Sequence, residues 1–155
     1  PADGKVVQIE RLEADARLGG PAVRVGIFLS VFDVHLNRAP LRARAVAVEY
    51  HPGRFLNALR SSSAEHNEST TIVLEAEEPP GGRLVVRQIA GAIARRIVCD
   101  VRPGERVERG AKIGMIKFGS RTELVLPDSA DWEIAVSLGA RVKAGETIIA
   151  RRRGA

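Results

Sequence analysis

Gly104-Glu105-Arg106-Val107-Glu108-Arg109-Gly110 returns 35 positions later as Gly139-Ala140-Arg141-Val142-Lys143-Ala144-Gly145. Both copies read G-x-x-V-x-x-G and lead into an apolar run. The glycines suit tight turns that need φ > 0, and the central valine is free to point into a core. Two unrelated hairpin turns would give the same letters, so the flanking sequence has to decide. Working outward, short runs rich in Val and Ile follow one another: Lys5 to Ile9, Val23 to Phe32, Ala43 to Tyr50, Thr70 to Glu75, Leu84 to Ile89, Ile113 to Phe118, Thr122 to Leu126 and Thr147 to Arg151. Gly, Pro, Asp and Asn separate them, which predicts strands joined by turns. Helical periodicity is convincing only around Gly91 to Ile97 and weaker around Asn57 to Ala64; Ser61 to Asn67 and Glu77 to Gly82 read as loops.

The expected fold is therefore mainly β, with one or two short helices. The repeated glycine turns resemble those of the flattened β-sandwich, or barrel-sandwich hybrid, of biotinyl and lipoyl carrier domains. A chain of 155 residues with 45% apolar content can bury one core, so residues 1–155 are read as a single domain. Lys and Arg outnumber Asp and Glu by 24 to 19, a net charge of +5. A basic face suits anionic lipid, nucleic acid or a phosphorylated substrate. Aromatic residues make up only 4% and interleave with no basic run, which argues against nucleic acid. The single cysteine, Cys99, rules out an internal disulfide and a multi-cysteine zinc site, and its setting in Ile97-Val98-Cys99 predicts a buried thiol. No segment approaches the roughly 20 apolar residues that span a bilayer. The chain begins with Pro1 rather than Met, which leaves room for an anchoring segment upstream.

The stretch with chemical content is Gly114-Met115-Ile116-Lys117-Phe118-Gly119-Ser120-Arg121. Most Gly-Ser dipeptides are ordinary turns. After an apolar strand, however, a serine hydroxyl can attack the preceding carbonyl and convert the peptide bond to an ester. β-Elimination then cuts the chain and leaves a pyruvoyl group on the new N-terminus. Gly119 has a reason to be glycine in such a step, because the strained approach is obstructed by a Cβ.

Several blocks, in order, resemble the phosphatidylserine decarboxylase proenzymes, of the short bacterial and archaeal type. They are Pro1-Ala2-Asp3-Gly4-Lys5-Val6; the segment Phe28 to Pro40 with Asp33-Val34-His35; Tyr50 to Phe55 with Asn57; Asn67-Glu68; Gln88-Ile89-Ala90-Gly91 with Ala94 to Ile97; and the Gly114 to Arg121 block. The resemblance runs from Pro1 to about Ala150. It implies cleavage between Gly119 and Ser120 into a β chain of residues 1–119 and an α chain of residues 120–155, and a covalent pyruvoyl cofactor derived from Ser120. It implies conversion of phosphatidylserine, presented in an anionic membrane, to phosphatidylethanolamine and CO2. A peripheral position on the cytoplasmic side of the cell membrane goes with it, and a homodimer is compatible with it. Many relatives carry a second histidine three residues after the first, where this chain has Arg38, so a division of labour between two histidines does not transfer.

Self-cleavage needs a nucleophile, a base and a group that orients the base. Ser120, His35 and Asp3 are the candidates, although His35 could be a strand histidine satisfied by a backbone carbonyl and Asp3 could serve only a turn. The pyruvoyl ketone would take up the substrate amine and act as electron sink for the departing CO2, with His35 returning the proton. Phe118 and Met115 could line the pocket or simply pack. Arg38, Arg95 and Arg96 are candidates for the lipid phosphate, since a guanidinium grips phosphate through a fork of donors. Arg151-Arg152-Arg153 could rest on anionic lipid. His51 and His66 lie in polar turns and are not read as ligands, and three scattered histidines give no metal site. The rival from another class is a non-catalytic carrier or binding module modified at Lys117, which would need that lysine at an exposed hairpin tip rather than in a strand-like run.

Overall fold

The computed structural model describes residues 1–58, 66–77, 82–92, 96–116 and 119–153. Among these the regular elements are thirteen strands: β1 (Gly4–Asp15), β2 (Gly20–Leu29), β3 (Leu36–Arg38), β4 (Ala43–His51), β5 (Ser69–Ala76), β6 (Arg83–Ile89), β7 (Ile97–Cys99), β8 (Arg106–Val107), β9 (Lys112–Ile116), β10 (Ser120–Pro127), β11 (Trp132–Ile134), β12 (Arg141–Val142) and β13 (Ala150–Arg152). The mainly β expectation holds. Eight strands form one antiparallel sheet in the order β12-β1-β2-β10-β6-β5-β4-β8, while β3-β9-β7 and β11-β13 form two small sheets.

Alternation along the strands gives the large sheet two unlike faces. Val25, Ile27 and Leu29 of β2, Leu124 and Leu126 of β10, Leu84 and Val86 of β6, and Ile72 and Leu74 of β5 join the main core. The reverse face carries a smaller apolar cluster, Ala22, Val73, Val85 and Val125, beside a charged row formed by Arg24, Arg87 and Glu123. Strand β10 is paired along both edges, with β2 and β6, and is buried on both faces.

The two glycine motifs do related work at opposite edges of the sheet. Gly104 and Gly110 have φ of 88° and 79°, and Gly139 and Gly145 have 87° and 78°. Such values favour glycine. Between them, β8 pairs with β4 and β12 with β1, and Val107 and Val142 both enter the core.

Three local expectations change. The Val23 to Phe32 run stops being strand at Leu29, because Asp33 folds the chain back: its N–H donates to Ser30 O (3.1 Å) and its carboxylate accepts from Ser30 N and Oγ, both at 2.7 Å. This turns Val31 and Phe32 outward. Ile97, expected in a helix, opens β7; residues 93–95, like 59–64 of the other expected helix and 61–65 and 78–81 of the two expected loops, lie outside the described residues. Cys99 is half-buried, and burial pushes its thiol above the ordinary value.

Candidate active site

Two strands from different sheets bring Ser120 and His35 together. Ser120 opens β10 opposite Leu29 of β2, so its neighbours along the core-facing row are Thr122 and Leu124. His35 precedes β3, and its carbonyl accepts from Ile116 N at 3.1 Å, extending the pairing of Leu36 with Met115 and Asn37 with Gly114. The result is a contact of 3.5 Å between Ser120 Oγ and His35 Nδ1, with Ser120 fully buried. That is longer than a full hydrogen bond, a spacing common for a base beside its nucleophile before reaction.

A second contact one step further along sets this one. Asn37 Nδ2 donates to Thr122 Oγ1 at 2.8 Å, and Gln88 Nε2 donates to Asn37 Oδ1 at 2.9 Å. All three residues are completely buried. Because His35 lies two positions before Asn37, at the mouth of β3, and Ser120 two before Thr122 on β10, fastening Asn37 to Thr122 delivers His35 to Ser120. Gly114 makes room for this link, since a Cβ there would run into Gln88 Nε2 and the Val98 carbonyl.

Burial holds the His35 ring below the usual imidazole value, opposed by the charge of Asp33 and by hydrogen bonding to the backbone of Ser30 and Ile116. The ring is therefore neutral near pH 7 and able to accept a proton. The carboxylate whose charge His35 feels is that of Asp33. Burial raises the Asp33 pKa, but Ser30 and Arg141 outweigh it and keep the group below the ordinary carboxylate range. Arg141 NH1 lies 3.0 Å from Asp33 Oδ1. Asp3, expected to orient the base, instead accepts from Ala144 N at 2.7 Å and so fastens the second glycine turn. No sequence signal separates the two aspartates, although Asp33 stands in the same block as His35.

Gly119 has φ of 65°, so the carbonyl in front of Ser120 is presented by backbone that favours glycine. That carbonyl packs flat against Gly91, where any Cβ would overlap its oxygen. Gly91 was visible in the sequence as part of a block, yet its task was not. On the reverse face Arg121 is also buried: its Nε donates to Glu123 Oε1 at 3.0 Å and its guanidinium also reaches Gln8 Oε1. Gly26 leaves the space that this guanidinium fills. The residue after Ser120 is thus pinned from the opposite side of the sheet.

The remaining expected residues separate. Arg38 NH1 donates to Gly110 O at 2.8 Å and its stem lies 3.2 Å from where a Cβ on Gly145 would be, so it bridges the two glycine turns instead of facing Ser120. Arg96 is exposed and directly precedes Ile97, which pairs with Ile116 at the end of β9 that runs toward Gly119. Arg95, Lys117 and Phe118 lie outside the described residues. A cavity of about 330 Å³ opens further along the core face, against Leu84, Leu124, Leu126 and Trp132 on one side and Arg109 and Glu146 on the other, and is not lined by Ser120 or His35.

A buried serine beside a neutral imidazole, preceded by a positive-φ glycine carbonyl on a mainly β scaffold, has the parts that attack by a serine hydroxyl requires. The profile of the phosphatidylserine decarboxylase family matches residues 1–150. The chain belongs to that family. Proteins named phosphatidylserine decarboxylase proenzyme are similar to it: that of Rhodopirellula baltica is 54% identical over 97% of this chain and 62% of its own length. Those of Desulfotalea psychrophila (43%, over 96% of this chain and 68% of the relative) and Salinibacter ruber (45%, over 97% and 65%) follow. The chain spans about two thirds of the length of these relatives. No solved structure matches it.

Proposed function

We propose that this protein is a self-processing, pyruvoyl-dependent decarboxylase that converts phosphatidylserine to phosphatidylethanolamine and CO2. The observation that carries the reading is the Ser120 Oγ to His35 Nδ1 contact of 3.5 Å directly behind the Gly119 carbonyl. His35 takes the Ser120 hydroxyl proton as Oγ attacks that carbonyl, and the peptide bond becomes an ester once the proton reaches the departing nitrogen. Loss of the Ser120 Cα proton then breaks the Cβ–Oγ bond and frees Gly119 as a carboxylate. Water replaces the nitrogen, which leaves as ammonia, and a ketone remains at the head of residues 120–155. The geometry suits a group made in place, because the atom that becomes the ketone is already buried beside an imidazole.

The pyruvoyl group supplies an electron sink for decarboxylation of an amino acid head-group. This chain's own residues do the rest. Buried and flanked by apolar Ala90, Ile97 and Ile116, the site keeps water from the reacting carboxylate. His35, neutral near pH 7, shuttles the proton that replaces CO2. Arg96, exposed just before β7, meets the head-group phosphate in this reading. The enzyme works peripherally on the cytoplasmic face of an anionic membrane; among the described residues no helix is long and apolar enough to cross it.

Intact mass under denaturing conditions, paired with release of labelled CO2, tests the reading. The expected result is two chains that divide between residues 119 and 120, with CO2 from phosphatidylserine and little from free serine. Ser120→Ala should remain one inactive chain. A wild-type protein that stays in one piece with full activity would refute the self-processing step, and equal turnover of free serine would refute the lipid substrate.

A further inference from the structure

The apolar residues of the Ser30 to His35 turn stand out in water although nothing in the turn needs them there. Phe32 is 96% exposed, Val34 54% and Val31 43%. An exposed phenylalanine on a loose loop would mean little. This one sits on a built turn, in which Asp33 accepts from Ser30 N and Ser30 Oγ and is tied to Arg141. The chain is thus held so that three apolar side chains project. Basic side chains surround the turn. Arg141 bonds to it directly, Lys5 is the register partner of both Arg141 and Phe28, and Lys143 comes directly after the edge strand β12. All three are exposed. Leu138, 67% exposed, adds an apolar side chain on the turn that leads into β12. The acidic groups facing this edge are engaged: Asp33 with Ser30 and Arg141, Asp3 with Ala144, and Glu146 with Lys143.

We propose that this turn is the membrane-contacting tip of the protein, with Phe32, Val31 and Val34 entering the interface of an anionic bilayer while Lys5, Arg141 and Lys143 rest on lipid phosphates. Aromatic and aliphatic side chains ringed by cations fit that environment, where apolar burial and attraction to anionic lipid add. The location supplies the reason. His35 lies three positions after Phe32, so at most about 10 Å of backbone lies between the tip and the imidazole that touches Ser120. A head-group could then reach the serine while its chains stay in the bilayer. This inference rests on the lipid-decarboxylase reading and adds the surface by which the substrate is met.

Co-sedimentation with vesicles tests it without any turnover. The purified protein is expected to bind vesicles of phosphatidylcholine mixed with phosphatidylglycerol, to bind pure phosphatidylcholine far less, and to release as salt rises. Phe32→Ser should weaken that binding by about tenfold or more, since it removes one buried aromatic side chain from the interface, whereas Phe32→Trp should preserve it. Because residue 32 is almost wholly exposed, both variants should fold and self-cleave as the wild type does. With substrate, Phe32→Ser should lose most turnover of vesicle-embedded phosphatidylserine yet keep turnover of a monomeric short-chain phosphatidylserine within about twofold. Unchanged vesicle binding by Phe32→Ser overturns the proposal. So does a wild-type dimer that this substitution dissolves, which would make the turn a contact between two copies of the chain. If no variant releases CO2 from either substrate, the decarboxylase reading fails while the vesicle measurement still judges the tip.

Discussion

Replacing Gly91 by alanine probes how the carbonyl in front of Ser120 is held. The new Cβ would overlap the Gly119 carbonyl oxygen and stand 3.3 Å from Ala58 Cβ. Both Gly91 and Gly119 are backbone at that point, so no flexible side-chain end can yield. One of the two segments must shift, by a distance on the order of an ångström, and a reacting atom misplaced by about 1 Å costs on the order of 10²-fold in rate. Overpacking of this kind destabilises by about 1–3 kcal/mol, small against the roughly 5–15 kcal/mol of a typical domain. Gly91→Ala should therefore fold and cut itself about a hundredfold more slowly. The time course of freshly translated chain on a denaturing gel gives the rate, and thermal melts of Ser120→Ala with and without Gly91→Ala give the stability cost in an uncut background. Cleavage at the wild-type rate with an unchanged melt would refute the placement of this carbonyl against Gly91.

Thr122→Val keeps the β-branched shape but removes the oxygen that accepts from Asn37, leaving a buried amide donor unpaired. A loss of about 1–3 kcal/mol and slower cleavage should appear together in melts and gels, and Thr122→Ser should restore both. His35→Ala should slow cleavage by roughly 10²–10⁴-fold. Because the folded pKa of His35 lies below its ordinary value of 6.5, the unfolded chain takes up the proton first. Its contribution to stability is present above pH 6.5 and is lost as pH falls through the folded value, and the cleavage rate should hold its plateau to below pH 6.5. A rate profile with its inflection above neutrality would contradict this. Arg121→Ala strands the buried Glu123 without its closest partner, which should cost about 3–5 kcal/mol in urea unfolding of the uncut chain; a change below about 1 kcal/mol would show that the pair is not buried as described.

The repeat was legible because glycine and valine each have one reason to be where they are: Gly104, Gly110, Gly139 and Gly145 all take positive φ, and both central valines reach the core. Periodicity likewise gave β2, β4, β5, β6, β9 and β10 to within a few residues. It failed at Val31 and Phe32, where apolar letters continue the strand pattern but a side-chain bond from Ser30 to Asp33 ends it. Pairing of Ser120 with His35 was read from the order of blocks, and the structure brings them together. The roles of Asp33, Asn37, Thr122, Gln88 and Gly91 were not readable. Those of Asn37, Thr122, Gln88 and Gly91 depend on contacts between residues 28 to 85 positions apart, and that of Asp33 on Arg141, 108 positions away, which no local spacing encodes. Arg38 looked like a phosphate ligand for the opposite reason: its charge is plain in the sequence, while the Gly110 carbonyl that occupies it is not.

Strand β10 begins at Ser120 and lies in the middle of the large sheet, laddered to β2 on one side and β6 on the other. A cut at residue 119 therefore frees a new end without freeing a piece. If the chain cuts itself as proposed, the strand would have to be seated before its first residue could react, so assembly would be guided by a continuous chain that afterwards no longer exists. Once matured, the protein would have to rebuild its central strand by collision between two separate polypeptides, a step that dilution penalises and the newborn chain never faced. Heating the precursor and heating the mature form should then be different experiments, the first retraceable and the second a one-way passage. Persistence of the working enzyme would be governed by how slowly that strand lets go.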